Sequence, residues 1–489
     1  MDLVVETQSG ALQGKEKDGV FLFAGVPYAA PPVGDRRFKA PEPMAPWQGI
    51  RDALKFSPAA PQIPSGGLTS SAPVNWDEDC LYLNVATPGL DDKKRPVMVW
   101  IHGGAYRTGQ GAIPWYNGAS FARQGDIVAV SINYRLGALG FTDLSRFGED
   151  YASSGSNGTM DQIAALEWVK ENIACFGGDP DRVTIAGESA GGFSVTTLLT
   201  SPLAQGLFCG AIPQSGAGHH TLSSKAGHGV ADLFLGEVNC ADIESLKSAS
   251  VEDILAAQQR TDERLMSEGI GIDMNGVSPF YPVEGTPAVP VRPVDAAAAG
   301  MGANVRVLVG SNKDETTMFN LTELSEEHVK NNADRFGGGE TLLAAYRSAY
   351  PEASHHDIGI AMSTDFTFRI PCLRLAEARE SHPESEGKTW MYFFAWESRS
   401  KLKSTHALEI PFVFNNLDKP GVRVFLGEGS LPQDVADVMH DAWTRFIRDG
   451  DPGWQPYELS TRSNMKFDDH SEVVSDPDTL IRPAWDGIR

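Results

Sequence analysis

Two stretches of this chain are almost wholly apolar, Pro96-Val97-Met98-Val99-Trp100-Ile101 and Ile127-Val128-Ala129-Val130-Ser131-Ile132. A strand with one wetted face alternates polar and apolar side chains, so a run without alternation predicts a strand covered on both faces. Residues 183–186, 210–213, 305–309 and 390–396 are further strand candidates, and helical runs such as 161–173 stand between strands. That alternation of strand and helix predicts an α/β fold, with a mostly parallel central sheet and helices on both faces. Near the N-terminal end, Leu3-Val4-Val5, Gly10-Ala11-Leu12 and Val20-Phe21-Leu22-Phe23 suggest small antiparallel strands. Residues 23–34 follow as a loop rich in proline and glycine, where the fixed φ of proline excludes a helix. Residues 57–73, rich in Ser, Pro and Gly, predict a surface loop. Residues 222–262 and 321–378 are largely helical in pattern and are expected as insertions over the sheet. With no internal repeat and no low-complexity linker, the span 1–489 is expected to form one enlarged domain.

Composition narrows the function classes. Hydrophobic content of 41% and charged content of 21% describe an ordinary soluble globular protein. A net charge of −23 argues against nucleic acid and anionic membrane surfaces as partners, since both attract cationic proteins. Residues 1–10 have neither the basic segment nor the apolar run of a secretory signal. No apolar run reaches the roughly 18 residues of a membrane span. Cys80, Cys175, Cys209, Cys240 and Cys372 are scattered and lack CxxC spacing, which favours reduced thiols in a cytoplasm and gives no zinc signature. A small-molecule substrate is the expectation, and a monomer the default.

The chemistry gathers at residues 183–192, a short apolar strand, a tight turn and the start of a helix. Gly187-Glu188-Ser189-Ala190-Gly191 has the Gly-x-Ser-x-Gly pattern, in which a strained turn holds the serine Oγ clear of the backbone. Gly187 and Gly191 flank it because a Cβ at either place would collide with the neighbouring strand or helix. A helix over 193–199 would aim unpaired N–H groups and its positive end at the reacting centre. The bland alternative is a turn serine; the strand before and the helix after favour a nucleophile.

A serine hydroxyl needs a base to take its proton, most often a histidine oriented by a carboxylate. After such a motif the order along the chain is serine, acid, histidine. Following 305–309, Gly310-Ser311-Asn312-Lys313-Asp314-Glu315 offers two carboxylates, and spacing alone does not choose between them. Following 390–396, Lys403-Ser404-Thr405-His406-Ala407-Leu408-Glu409 offers His406 as the base. The other histidines fit less well. His102 precedes a Gly-Gly loop and suits positioning that loop. His219 and His220 follow a strand end and suit either a pocket lining or a surface. His355-His356-Asp357 lacks the partner cluster a metal would need, and His440 lies in a helical run. His102-Gly103-Gly104-Ala105-Tyr106 directly follows a buried strand, as an oxyanion-hole loop does. Gly104, Ala105 and Ala190 would donate backbone N–H groups to the developing oxyanion, each typically worth about 3–4 kcal/mol. No GxGxxG joins a strand to a helix and no Walker A lysine motif is present, so dinucleotide and nucleotide binding find no support.

These residues together resemble the type-B carboxylesterase family, which contains bacterial p-nitrobenzyl esterases and the cholinesterases. The matches run nearly end to end. Phe23-Ala24-Gly25-Val26-Pro27-Tyr28-Ala29 with Arg37-Phe38 resembles the N-terminal signature, and Glu78-Asp79-Cys80-Leu81-Tyr82-Leu83-Asn84-Val85 the second. Asn133-Tyr134-Arg135-Leu136-Gly137, Phe176-Gly177-Gly178-Asp179-Pro180, the serine motif and Gln214-Ser215-Gly216 follow in family order. Asp365, Phe368 and Pro371, then His406, Glu409, Pro411 and Phe414, complete the series.

The resemblance implies an α/β-hydrolase fold and a triad of Ser189, Glu315 and His406, with Glu315 rather than Asp314 as the acid. It implies a structural buried ion pair between Glu78 and Arg135, and supporting roles behind the site for Ser215 and Glu188. Where secreted members carry a cysteine partner for Cys80, this chain reads Ala60-Pro61-Gln62, so Cys80 is expected to be free and the enzyme bacterial and intracellular. Trp76 stands too close to Glu78 to match the choline-site tryptophan, so choline ester specificity is not implied. The expected activity is hydrolysis of carboxylic esters through an acyl-enzyme, without metal or organic cofactor. Tyr106, Phe368 and Phe412 are expected to line a pocket for aryl or medium alkyl groups. The rival readings are a carbamate or aryl-amide hydrolase with the same triad, and a non-catalytic cholinesterase-like interaction protein.

Overall fold

The computed structural model describes residues 3–64, 74–240, 242–267 and 278–489. Its centre is an eleven-stranded sheet. From one edge the strands are Glu472–Ser475, Ser463–Phe467, Thr389–Phe394, Arg306–Asn312, Gly210–Gln214, Gly178–Glu188, Arg95–Ile101, Val128–Ile132, Tyr82–Thr87, Val20–Pro27 and Lys15–Lys17. The seven from Ser463–Phe467 to Val128–Ile132 run parallel, and antiparallel strands finish both edges. A separate three-stranded sheet joins Val4–Thr7, Gly10–Gln13 and Ile50–Asp52.

The unbroken apolar runs are explained by two cores. Val97, Val99 and Ile101 face one buried cluster, and Met98 and Trp100 face the other. The period of two along a strand sends alternate side chains to opposite faces, and here both faces are dry. Helices Asn157–Asn172, Ala190–Leu199 and Ile370–Glu380 contribute to the first core; Gln433–Asp449 covers the second through Val435, Met439 and Trp443. Residues 222–262 and 321–378 are helical, as their pattern predicts, through Ser224–Val238, Ile243–Ser248 and Val251–Ser267 and then Glu326–Arg335, Gly339–Ala349 and His355–Thr364. No helix among the described residues is long and apolar enough to cross a membrane.

Two loop predictions change. Residues 23–34 begin inside a strand: Val20–Pro27 pairs antiparallel with Tyr82–Thr87, and the register shifts between Ala24 and Val26. Gly25 sits in that shift with φ +76°, and the Lys55 carbonyl would lie 2.6 Å from a Cβ there. The glycine and prolines thus mark a bulge and a strand end, where neither interrupts a ladder. Of the predicted surface loop 57–73, residues 65–73 lie outside the described residues. The part before them is not all surface, because Gln62 is buried and clasps Gly109 through two amide hydrogen bonds of 2.9 Å.

Candidate active site

Strand Gly178–Glu188 and helix Ala190–Leu199 meet at Ser189, whose φ of 57° and ψ of −124° place it in a region few L-residues occupy. Such strain persists only where the surroundings impose it. Here they do. A Cβ on Gly191 would stand 2.0 Å from the carbonyl oxygen of Ile101, and one on Gly187 would stand 2.6 Å from the same oxygen. The absent side chains let the helix start press against the next strand, which fixes the turn.

Strand Arg306–Asn312 ends in the loop that carries Glu315, and the segment after Thr389–Phe394 carries His406. His406 Nδ1 lies 2.6 Å from Glu315 Oε2, and the His406 backbone N–H donates to the Glu315 carbonyl at 3.1 Å. The other carboxylate oxygen, Oε1, accepts the Asn312 backbone N–H at 2.8 Å. Asp314 turns elsewhere: its carboxylate accepts the Ser404 backbone N–H at 3.3 Å, and the two residues that spacing left open are thereby separated. On the far side of the imidazole, Nε2 lies 3.1 Å from Glu188 Oε1. No hydrogen bond joins Nε2 to Ser189 Oγ in this arrangement, although both residues line one cavity of about 540 Å³.

The charges around the ring are unusually close for a dry site. Burial alone would push His406 down, but the carboxylates of Glu188 and Glu315 outweigh it and hold its pKa above the ordinary value. Glu188 is raised, first by burial and then by Glu409 and Glu315, against the pull of His406. Glu409 is pushed up to about 7 by burial and by Glu315. His102 is lowered to about 4 by burial, so its ring is neutral near pH 7.

The loop after strand Arg95–Ile101 is wound through positive φ at Gly104 (113°), Ala105 (53°) and Tyr106 (57°). The Gly104 carbonyl accepts the N–H groups of Arg107 and Thr108, whereas the N–H groups of Gly104 and Ala105 donate to no backbone partner among the described residues. Ala190 opens its helix, so its N–H has no intrahelical acceptor. His102 packs beneath this loop, stacked on Tyr134 at 4.6 Å and close under Gly109, which suits the positioning part expected of it.

The remaining expectations divide. Phe368 packs on the His406 ring at 4.6 Å, between it and Phe193, but is not among the residues that line the cavity. Tyr106 and Phe412 do not line the cavity: both are fully buried, Tyr106 against Phe141 and Tyr281, Phe412 against Phe394 and Trp396. Left-handed backbone at Tyr106 turns its ring into the first core, where its hydroxyl accepts a hydrogen bond from Ser194. The cavity instead takes its apolar lining from Ile113, Tyr116, Met318, Phe319 and Ile410. Ser215 is buried and its N–H binds the Gly310 carbonyl at 2.8 Å, but its Oγ makes no bond to Glu315. His220 stacks on Phe193 at 3.6 Å and His440 Nδ1 binds the Val413 carbonyl at 2.7 Å. Among the described residues no cluster of metal-ligating side chains is present.

The implied pair of Glu78 with Arg135 is not formed. Glu78 pairs with Arg37 (Nε–Oε1 2.7 Å), and Arg135 pairs with Asp161 (Nε–Oδ2 2.8 Å, Nη2–Oδ1 2.6 Å). Asp161 lies on helix Asn157–Asn172 with no exposed surface, and it also accepts the Arg135 backbone N–H at 3.0 Å.

Sequence reasoning overlooked the support behind Glu315. Asn312 Nδ2 donates to Glu409 Oε2 at 2.6 Å, Gln214 Nε2 donates to Glu409 Oε1 at 3.1 Å, and Trp443 Nε1 donates to Gln214 Oε1 at 3.0 Å. Glu409 stands three residues after His406 and belongs to the same motif, but the motif marks the position without showing what it binds.

The sheet, the serine turn and the histidine–glutamate pair describe a serine hydrolase of the α/β-hydrolase type, and comparison with known proteins narrows the class. The carboxylesterase family model matches residues 1–478. The para-nitrobenzyl esterase of Bacillus subtilis is 37% identical, over 98% of this chain and 97% of that protein. The phenmedipham hydrolase of Pseudarthrobacter oxydans is 35% identical, over 99% of each. The crystal structure of Geobacillus stearothermophilus carboxylesterase EST55 superposes with a TM-score of 0.87 at 39% identity, covering 99% of this chain and all of that one. The chain belongs to the carboxylesterase family and is an ester-hydrolysing enzyme.

Proposed function

We propose that Ser189, His406 and Glu315 carry the reaction, within one domain spanning the sheet. The observation that supports this best is the 2.6 Å contact of Glu315 with His406 on the cavity that also exposes Ser189. The imidazole exchanges Glu188 for Ser189 Oγ and takes its proton as Oγ attacks the ester carbonyl. The oxygen that becomes negative is received by the N–H groups of Gly104, Ala105 and Ala190, donors without backbone partners among the described residues. His406 then passes its proton to the departing alcohol oxygen, and the C–O bond breaks. A water attacks the acyl-enzyme, His406 takes its proton and returns it to Ser189, and the acid leaves. Glu315 holds the imidazole in one tautomer and stabilises its cation. The apolar lining of Ile113, Met318, Phe319 and Ile410 favours aryl and medium alkyl esters.

Hydrolysis of p-nitrophenyl acetate and butyrate by the wild type and by Ser189→Ala tests this. The wild type is expected to release a burst of p-nitrophenolate. The variant is expected to lose about 10⁴-fold or more in kcat/KM. Equal rates in both proteins would overturn the triad.

A further inference from the structure

Besides its apolar lining, the cavity carries hydrogen-bond donors that the triad does not use. Arg107 follows Ala105 by two residues, and its N–H donates to the Gly104 carbonyl at 2.9 Å, so its position is tied to the oxyanion loop. Its side chain is 28% exposed, and its guanidinium bonds Asp262 through one nitrogen. Asp262 lies on helix Val251–Ser267, and Gln258 precedes it by four residues on the same face. Gln258 is 3% exposed and lines the cavity beside Arg107. Its Oε1 accepts the Ala138 N–H at 2.8 Å, which fixes the amide orientation. The Nε2 end therefore remains as a donor, and no hydrogen bond joins it to another described residue. An amide donor held in a fixed orientation on a cavity wall is placed to meet an acceptor on the ligand.

The charge balance says which acceptor. Asp262 neutralises Arg107, Glu188 is an acid on the same cavity, and the chain carries −23 overall. The two donors thus come with no excess positive charge to hold a carboxylate. We propose that Arg107 and Gln258 form a subsite for a second, uncharged carbonyl of the substrate, so that keto esters and diesters are preferred over matched alkyl esters. This rests on the Ser189 reading of the same cavity.

Two matched pairs test it. p-Nitrophenyl 4-oxopentanoate against p-nitrophenyl pentanoate places the carbonyl on the acyl side, and 4-oxopentyl butyrate against pentyl butyrate places it on the alcohol side. In one pair the wild type is expected to favour the keto ester about tenfold in kcat/KM, the factor of one well-placed hydrogen bond. Arg107→Met and Gln258→Glu are each expected to bring that ratio within twofold of one. Gln258→Glu keeps the acceptor for Ala138 while removing the donor. Arg107→Met combined with Asp262→Asn gives the same readout without stranding a buried carboxylate. A ratio near one in both pairs, or a preference that survives these substitutions, would overturn the subsite. So would faster turnover of p-nitrophenyl hemisuccinate than of the 4-oxopentanoate, which would mark an anion site. If the wild type cleaved the alkyl esters and Ser189→Ala did so equally, the triad reading itself would fall.

Discussion

Glu188 Oε1 lies 3.1 Å from Nε2 of His406, the nitrogen that accepts the serine proton in the proposed mechanism. On that proposal, the residue just before Ser189 in sequence stands where the serine hydroxyl has to meet its base. A base works only when neutral, and a carboxylate at this distance favours the imidazolium, as does Glu315 on the other nitrogen. The acid limb of kcat/KM is therefore expected above the pH of about 6.5 at which a free imidazole titrates. Glu188→Gln removes one of the two negative charges and keeps the shape. It is expected to move that limb to lower pH by about one unit, read from kcat/KM between pH 5 and 10 on p-nitrophenyl butyrate. A limb that stays in place would mean that Glu188 does not set the proton affinity of His406.

The neighbouring carboxylates Asp314 and Glu315 provide a second comparison. Glu315 touches the imidazole at 2.6 Å, and Asp314 only ties down the backbone of Ser404. Glu315→Gln is expected to reduce kcat by about 10³–10⁴-fold, because a neutral amide neither fixes the productive tautomer nor stabilises the imidazolium. Asp314→Asn is expected to stay within a few-fold of the wild type, since an amide oxygen also accepts the Ser404 N–H. Equal losses in both would assign the effect to the loop's folding rather than to the carboxylate.

The difference between these two acids also shows what a sequence conveys and what it does not. The strands around the site were legible because burial on both faces leaves long apolar runs, and the serine turn because only Gly187 and Gly191 permit its close approaches. Gly103 obeys the same rule, since a Cβ there would stand 2.5 Å from the Glu188 carbonyl. The choice between Asp314 and Glu315 was not legible from spacing, because adjacent residues in an irregular loop have no periodicity to separate them. Tyr106, Phe368 and Phe412 suggest a pocket because they are aromatic and near the site loops, yet none of the three lines the cavity. Whether an aromatic ring faces a cavity or a core depends on backbone direction, which at Tyr106 is a left-handed φ that composition cannot reveal. Strand Ser463–Phe467 and the edge strand Glu472–Ser475 are hard to read for a related reason: the first mixes buried Ser463 and Asn464 with half-buried Met465 and Lys466, the second is largely exposed, and neither has the apolar run that marks the centre.

The ion pairs behind the N-terminal signature yield a stability prediction. Arg135 and Asp161 are sealed, with side chains 4% and 0% exposed, and two parallel hydrogen bonds join them. Arg37 and Glu78 are 9% and 13% exposed, and Arg37 has further acceptors in the carbonyls of Lys247 (2.9 Å) and Ala249 (2.6 Å). Removing one charge from a sealed pair leaves the other in a medium that cannot solvate it, at a cost of about 3–5 kcal/mol. Asp161→Asn is expected to fall in that range. Glu78→Gln should lose less, about 1–2 kcal/mol, because Arg37 keeps two carbonyl partners and some water. Urea unfolding followed by tryptophan fluorescence, at one protein concentration and pH 7, ranks the two midpoints. A midpoint for Asp161→Asn at or above that of Glu78→Gln would contradict the pairing of Arg135 with Asp161. The double variant Arg135→Met/Asp161→Leu should recover much of the loss, since two apolar side chains leave no charge stranded. That recovery would separate a stranded charge from a simple loss of packing.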